Sequence, residues 1–134
     1  MSVILDSSYI IAYSDERDKY HKEAIGLSKH LSSGDFGQIF ISDYIFDEVV
    51  TYFLARQGIE KAISVGEYLL KFEIELLHST SELFSSSWIF FKQRKNLSFT
   101  DCITIEIMKA YGIRNIATFD AGFNQFEKEM KILR

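Results

Sequence analysis

The sequence predicts an α/β fold: a three-layer α/β/α sandwich around a central parallel sheet of four to five strands. Three observations carry this reading. Short apolar runs recur along the chain, stretches with apolar residues three and four apart separate them, and the two kinds alternate from one end to the other. Such alternation predicts parallel strands joined by helical crossovers that cover both faces of the sheet.

Ser2-Val3-Ile4-Leu5 is the first strand, an apolar run that stops abruptly at Asp6. Residues 18–33 read as a helix on the spacing of Tyr20, Ala24, Leu27 and Leu31, with Gly34 as its stop. Gln38-Ile39-Phe40-Ile41 is the second strand. Ser42 or Asp43 then caps a helix carrying Ile45, Phe46, Val49, Val50, Phe53 and Leu54, which Gly58 ends. A helix from Ile59 to Phe72 leads into a third strand, Glu73 to Leu77. Residues 81–95 and 100–111 read as helices, with a polar break at Lys95-Asn96 and Gly112 closing the second. Asn115 to Phe119 is the fourth strand and Met130 to Leu133 the fifth.

The 134 residues, 15.6 kDa in mass, suit a single domain spanning 1–134, and no repeat, low-complexity segment or linker divides them. With 47% hydrophobic and 25% charged residues the composition is that of a folded chain, which excludes disorder. The formal net charge is −4, so the overall basic field that draws many proteins to nucleic acid is missing. Any nucleic-acid chemistry here needs a bound cation or a basic partner to offset phosphate repulsion. Cys102 is the lone cysteine, which excludes an intrachain disulfide and a cysteine-based zinc site. Apolar runs such as Trp88 to Phe91 are far too short to span a membrane, and no charged segment followed by an apolar stretch opens the chain. The expected location is the cytoplasm, where Cys102 is kept reduced.

Several chemistries lack their motifs. No glycine-rich dinucleotide or phosphate-binding loop follows a strand, and no G-x-S-x-G elbow is present. A phosphatase using two aspartates after its first strand would want an acid where Ser8 stands. His21, His30 and His78 have no metal-ligand spacing.

The acids are more informative. Ligands of an open parallel sheet bind beyond the carboxyl ends of its strands. Asp6 and Asp120 each follow an apolar strand directly, so both sit at that edge, although aspartate also begins turns and caps helices. Asp101 stands three residues after Ser98, a capping-box spacing, in a first helical turn that favours a carboxylate for cap and metal ligand alike. Asp47 and Glu48 flank opposite edges of the apolar stripe of their helix, and periodicity does not choose between them. Four acids gathered at one edge would repel one another unless a cation sat among them. Hard Mg²⁺ or Mn²⁺ prefers such carboxylate oxygens.

Taken together, these segments resemble the PIN domain family, and within it the toxin ribonucleases of the VapC type. The resemblance rests on four stretches in order. Ile4 to Ala12 is an apolar strand, Asp6, then small polar residues. Ile41-Ser42 precedes Glu48-Val49-Val50 by five residues. In Leu97 to Ile103, Asp101 opens a helix, and in Ile116 to Phe123 a Thr118-x-Asp120 follows a strand with Phe123 three residues on. It selects Glu48 over Asp47. Phe99, Thr100 and Ala121 depart from the small and basic residues usual at their positions.

The resemblance implies a Mg²⁺- or Mn²⁺-dependent endoribonuclease that leaves a 5′-phosphate and a 3′-hydroxyl. Asp6, Glu48, Asp101 and Asp120 would be its catalytic and metal-binding residues: Asp6 and Asp101 as direct ligands, Asp120 holding a second ion or a water, Glu48 acting through a water. Ser8 and Thr118 would hold these carboxylates by hydrogen bonds. Lys92, Arg94 and Lys95 are candidates for positioning the RNA backbone, and Tyr9, Tyr13 and Tyr44 for stacking bases. The implied partners are the RNA substrate, a cognate antitoxin and a second copy of the chain in a homodimer. The alternatives are a PIN nuclease of RNA processing without an antitoxin, and an inactive PIN-like binding scaffold.

Overall fold

Each predicted strand is present in the computed structural model, which describes residues 1–71, 73–94 and 96–134. β1 (Ser2–Leu5), β2 (Gln38–Ser42), β3 (Ile74–Leu77), β4 (Asn115–Ala117) and β5 (Lys131–Leu133) form one parallel sheet in the order β3-β2-β1-β4-β5. The helices described are α1 (Ser7–Ser14), α2 (His21–Ser32), α3 (Asp43–Gln57), α4 (Ile59–Leu69), α5 (Ser81–Gln93), α6 (Phe99–Tyr111) and a 3₁₀ helix, Ala121–Phe126. The chain steps outward from β1 to β2 to β3, then returns to the far side of β1 as β4. Right-handed crossovers therefore place α1 to α4 on one face and α5 and α6 on the other. β1 lies at the centre, and Val3, Ile4 and Leu5 are all buried because helices cover both sides of it.

The order of the sheet reverses between β1 and β4. Ligands of such a sheet bind at that switch point, beyond the carboxyl ends of the two strands, and Asp6 and Asp120 follow those ends.

Several boundaries differ from the expectation. The helix expected from residue 18 starts at His21, because Asp15 and Asp18 accept hydrogen bonds from the Arg17 and Tyr20 amides (3.0 and 2.8 Å) and hold the preceding segment in turns. β4 ends at Ala117 rather than Phe119, since the next free amides bind side-chain oxygens instead of a strand: Phe119 N to Ser8 Oγ and Asp120 N to Thr118 Oγ1. The helix after β2 is capped by Ser42, whose Oγ accepts from Ile45 N at 3.1 Å. The helices expected to reach Phe72 and Lys95 end at Leu69 and Gln93, and Phe72 and Lys95 themselves lie outside the described residues. α1 and the 3₁₀ helix were not legible in the sequence.

Candidate active site

Asp6 leaves β1 and caps α1, with its carboxylate buried at the switch point. Its Oδ2 collects the hydrogen bonds: Ser8 Oγ and Thr118 Oγ1 both donate to it at 2.7 Å, and Ser8 N approaches at 3.4 Å. Each hydroxyl has one hydrogen to give. With both given to Asp6, their oxygens accept backbone amides, Phe119 N on Ser8 (2.9 Å) and Asp120 N on Thr118 (3.0 Å). The network thereby stitches the end of β1 to the end of β4. Asp6 Oδ1 takes no hydrogen bond among the described residues.

The other two aspartates follow the same scheme. Asp101 closes a capping box: Ser98 Oγ accepts from Asp101 N at 3.0 Å, and Asp101 Oδ2 accepts from Ser98 N at 3.2 Å. Asp120 Oδ1 accepts from Gly122 N at 2.8 Å and starts the 3₁₀ helix. Each carboxylate is thus tethered through one oxygen, and the other oxygen has no partner among the described residues.

Electrostatics bring the three together. Burial raises the Asp6 pKa above the usual carboxylate range, the hydroxyls of Ser8 and Thr118 pull it down, and the charge of Asp120 raises it again. Asp101 is pushed up to about 6, by burial first and then by the charges of Asp6 and Asp120. Three carboxylates that feel one another's charge, each with a hard oxygen left without a partner among the described residues, have the donor chemistry a divalent cation takes. Among the described residues, however, no three acidic, histidine or cysteine side chains already stand in a chelating arrangement. A shared ion would have to draw the free oxygens together.

Glu48 stands apart. It is exposed on α3, and its charge is not among those that raise Asp6 and Asp101. Its side of the helix is nonetheless defined. Tyr44, one turn earlier on the same side, packs edge-on against Phe99 at the start of α6, two residues before Asp101 (ring centroids 5.9 Å). Asp47 lies one turn after Asp43, whose Oδ2 accepts from Ser79 N and Oγ (both 3.1 Å) beyond β3. Asp47 also accepts from Thr51 Oγ1 at 3.4 Å. The Asp43–Ser79 tie had no local signal in the sequence.

Lys92 and Arg94 are exposed beside aromatic rings. Lys92 Nζ lies 5.9 Å from the Trp88 ring centroid, and the Arg94 guanidinium is 5.5 Å from Phe90 and 5.4 Å from Phe126. Arg94 also donates to Gln125 Oε1 at 3.4 Å. Lys95 lies outside the described residues. Tyr9 is buried, which removes it as a base-stacking surface, and Tyr44 spends its ring on Phe99. Cys102 is buried, and that burial pushes its thiol up.

The profile of the PIN domain family matches residues 3–129. The chain belongs to the PIN domain family. This PIN domain is similar to the 23S rRNA-specific endonuclease VapC20 of Mycobacterium tuberculosis, with 23% identity over 124 residues, 91% of this chain and 92% of that protein. The crystal structure of VapC20, described as a sarcin–ricin loop cleaving toxin, superposes with a TM-score of 0.82 at 22% identity over 92% of this chain and 94% of that one. A VapC ribonuclease of Archaeoglobus fulgidus is 21% identical over 131 residues, 92% of this chain and 80% of that protein. The VapBC2 structure from Rickettsia felis, bound to a DNA fragment from its promoter, superposes with a TM-score of 0.68 at 13% identity over 98% and 97% of the chains. The three-layer α/β/α architecture of the PIN fold is the one expected from the sequence.

Proposed function

We propose that this PIN domain is a metal-dependent endoribonuclease and the toxin of a toxin–antitoxin pair. The observation that carries this is the trio Asp6, Asp101 and Asp120 at the switch point, each held by one oxygen with the other free. The relatives that are ribonucleases by name align over nearly the whole chain.

Asp6 and Asp101 would bind Mg²⁺ or Mn²⁺, with Asp120 holding a second ion or a water and Glu48 reaching the site through a water. A bound divalent ion supplies hydroxide near neutral pH and offsets charge on the phosphate. Ser8 and Thr118 fix the rotamer of Asp6 and keep Oδ2 occupied, so that Oδ1 is the oxygen offered to the ion. The ion also answers the charge problem, because a protein of net charge −4 has no general attraction for RNA. Lys92 and Arg94 would contact the backbone at the rim.

The partners follow from the same reading. The Rickettsia felis structure is a VapBC complex, and it supports a cognate antitoxin for this chain. Exposed Phe84, Trp88 and Ile89 on α5, and Leu54, Ile59 and Ile63 on α3 and α4, offer apolar area for an antitoxin and for a homodimer. Among the described residues no helix is long and apolar enough to cross a membrane, and we assign the enzyme to the cytoplasm.

The test is cleavage of end-labelled RNA by the purified chain with Mg²⁺, with Mn²⁺ and with EDTA, beside Asp6→Asn. Cleavage that needs the cation and disappears in Asp6→Asn supports the reading. Cleavage indifferent to EDTA, or equal in the variant, refutes it.

A further inference from the structure

Five aromatic rings form a continuous stack beside the acidic cluster. In order they are Tyr68, Tyr13, Tyr9, Phe119 and Tyr20, with successive centroids 5.5, 6.3, 6.4 and 4.8 Å apart. The last pair is the tightest and the most nearly parallel, with 4° between ring planes. Phe119 lies between Thr118 and Asp120 in the chain, and its amide is fixed on Ser8 Oγ, so it belongs to the frame of the candidate site. Tyr20 ends the stack and is 37% exposed, whereas Tyr9 is buried and the other three are half-buried.

The Tyr20 amide donates to Asp18 Oδ1 at 2.8 Å, which shapes the turn leading into α2. Phe119 covers one face of the Tyr20 ring, and Lys19 Nζ stands over the same ring at 5.0 Å from its centroid. A partly exposed ring backed by Phe119, with an exposed, flexible Lys19 side chain over it that an incoming base would displace toward its own phosphate, and with an acidic centre next to Phe119, has the parts of a single-strand binding site. Stacking suits this chain in particular. It grips any unpaired base through its π-face and does not depend on the positive net charge that the protein lacks.

We propose that the exposed ring of Tyr20 is a platform for an unpaired nucleobase of the RNA substrate next to the cleaved phosphate, with Lys19 placed for an adjoining phosphate. This rests on the ribonuclease reading above.

The test uses an oligoribonucleotide carrying 2-aminopurine, bound to the Asp6→Asn chain so that it stays intact. Stacking on the ring quenches the probe. Tyr20→Phe should bind and quench as the parent does. Tyr20→Leu and Tyr20→Met keep apolar cover over Phe119 without a ring, and each should bind about 5- to 150-fold more weakly and lose the quench. In the active chain the same two variants should raise KM more than they lower kcat. Melting temperatures close to the parent's are required of whichever ring-less variant is used. Unchanged affinity and quench in a folded ring-less variant overturn the proposal and leave the ring to packing or to a protein contact. Failure of the parent to bind the probe overturns it too. If the unaltered chain does not cleave RNA with Mn²⁺, the ribonuclease reading falls. If it cleaves and the ring-less variants are indifferent, only the platform falls.

Discussion

Thr118 Oγ1 donates a 2.7 Å hydrogen bond to Asp6 Oδ2 across 112 residues of chain, and through it the end of β4 holds the carboxylate at the end of β1. The same oxygen accepts the Asp120 amide. One buried hydroxyl therefore sets the position of two of the three clustered aspartates. Thr118→Val keeps the volume and removes the hydroxyl. It should cost about 1–3 kcal/mol of stability, because a buried carboxylate and an amide both lose a partner. Hydrogen bonds to the ionised form lower a carboxylate pKa, so their loss should raise that of Asp6 further and weaken metal binding about 10- to 100-fold. Denaturant unfolding and Mn²⁺ titration by calorimetry measure the two effects, and Thr118→Ser should restore both.

Asp101 sets a pH dependence. Its folded-state value of about 6 lies above the ordinary 3.8, so between these pH values the folded chain binds more protons than the unfolded one. Stability then falls as pH rises through this window, and the ionised group opposes folding at neutral pH. Asp6, also raised, acts in the same direction. A divalent ion binds the ionised carboxylates and should reverse this. This pair should make the melting temperature of the metal-free protein lower at pH 7.5 than at pH 5, and the gain on adding Mn²⁺ should be larger at pH 7.5. An equal gain at both pH values would count against the trio as the metal site.

Glu48→Gln should lower cleavage at least tenfold with little change in melting temperature, because the side chain is exposed and spends nothing on packing. Asp47→Asn should leave cleavage within about twofold, since that side chain lies on the side of α3 that carries Asp43 and Thr51. Rates measured at saturating Mn²⁺ separate the two. The reverse ranking would place the wrong neighbour beside the aspartates.

How far the sequence foretold this arrangement depended on how local each cause was. Asp6 and Asp120 stand where apolar strands end, and the capping box of Asp101 is a three-residue relation, so strand pattern and cap chemistry exposed them. α1 escaped because Tyr9, Ile10 and Ala12 are buried while Ile11 and Tyr13 pack partly against the same core, which leaves no polar face to reveal a period. Glu48 and Asp47 were indistinguishable because the apolar stripe of α3 fixes only Ile45, Val49 and Phe53, and the side that faces α6 is set by tertiary contact. The Tyr20–Phe119 stack and the Asp43–Ser79 tie join distant segments, and neither partner carries a mark that names the other.

Gly122 offers a finer probe of Asp120. Its amide holds Asp120 Oδ1 at 2.8 Å, and a Cβ added there would stand 3.1 Å from that same oxygen and 3.6 Å from Leu97 Cδ2. No backbone lies in its way, so Gly122→Ala should keep the fold, within about 1 kcal/mol of the parent in denaturant unfolding. The carboxylate cannot keep its bond to the amide and also clear the methyl, so it should shift by a few tenths of an ångström. A displacement of that size matters little to packing and much to a group that must meet an ion or a water at a set distance. Cleavage should therefore fall several-fold while stability is nearly unchanged. If activity and stability drop together, the glycine serves the 3₁₀ helix alone, and Asp120 takes no part in positioning the reacting groups.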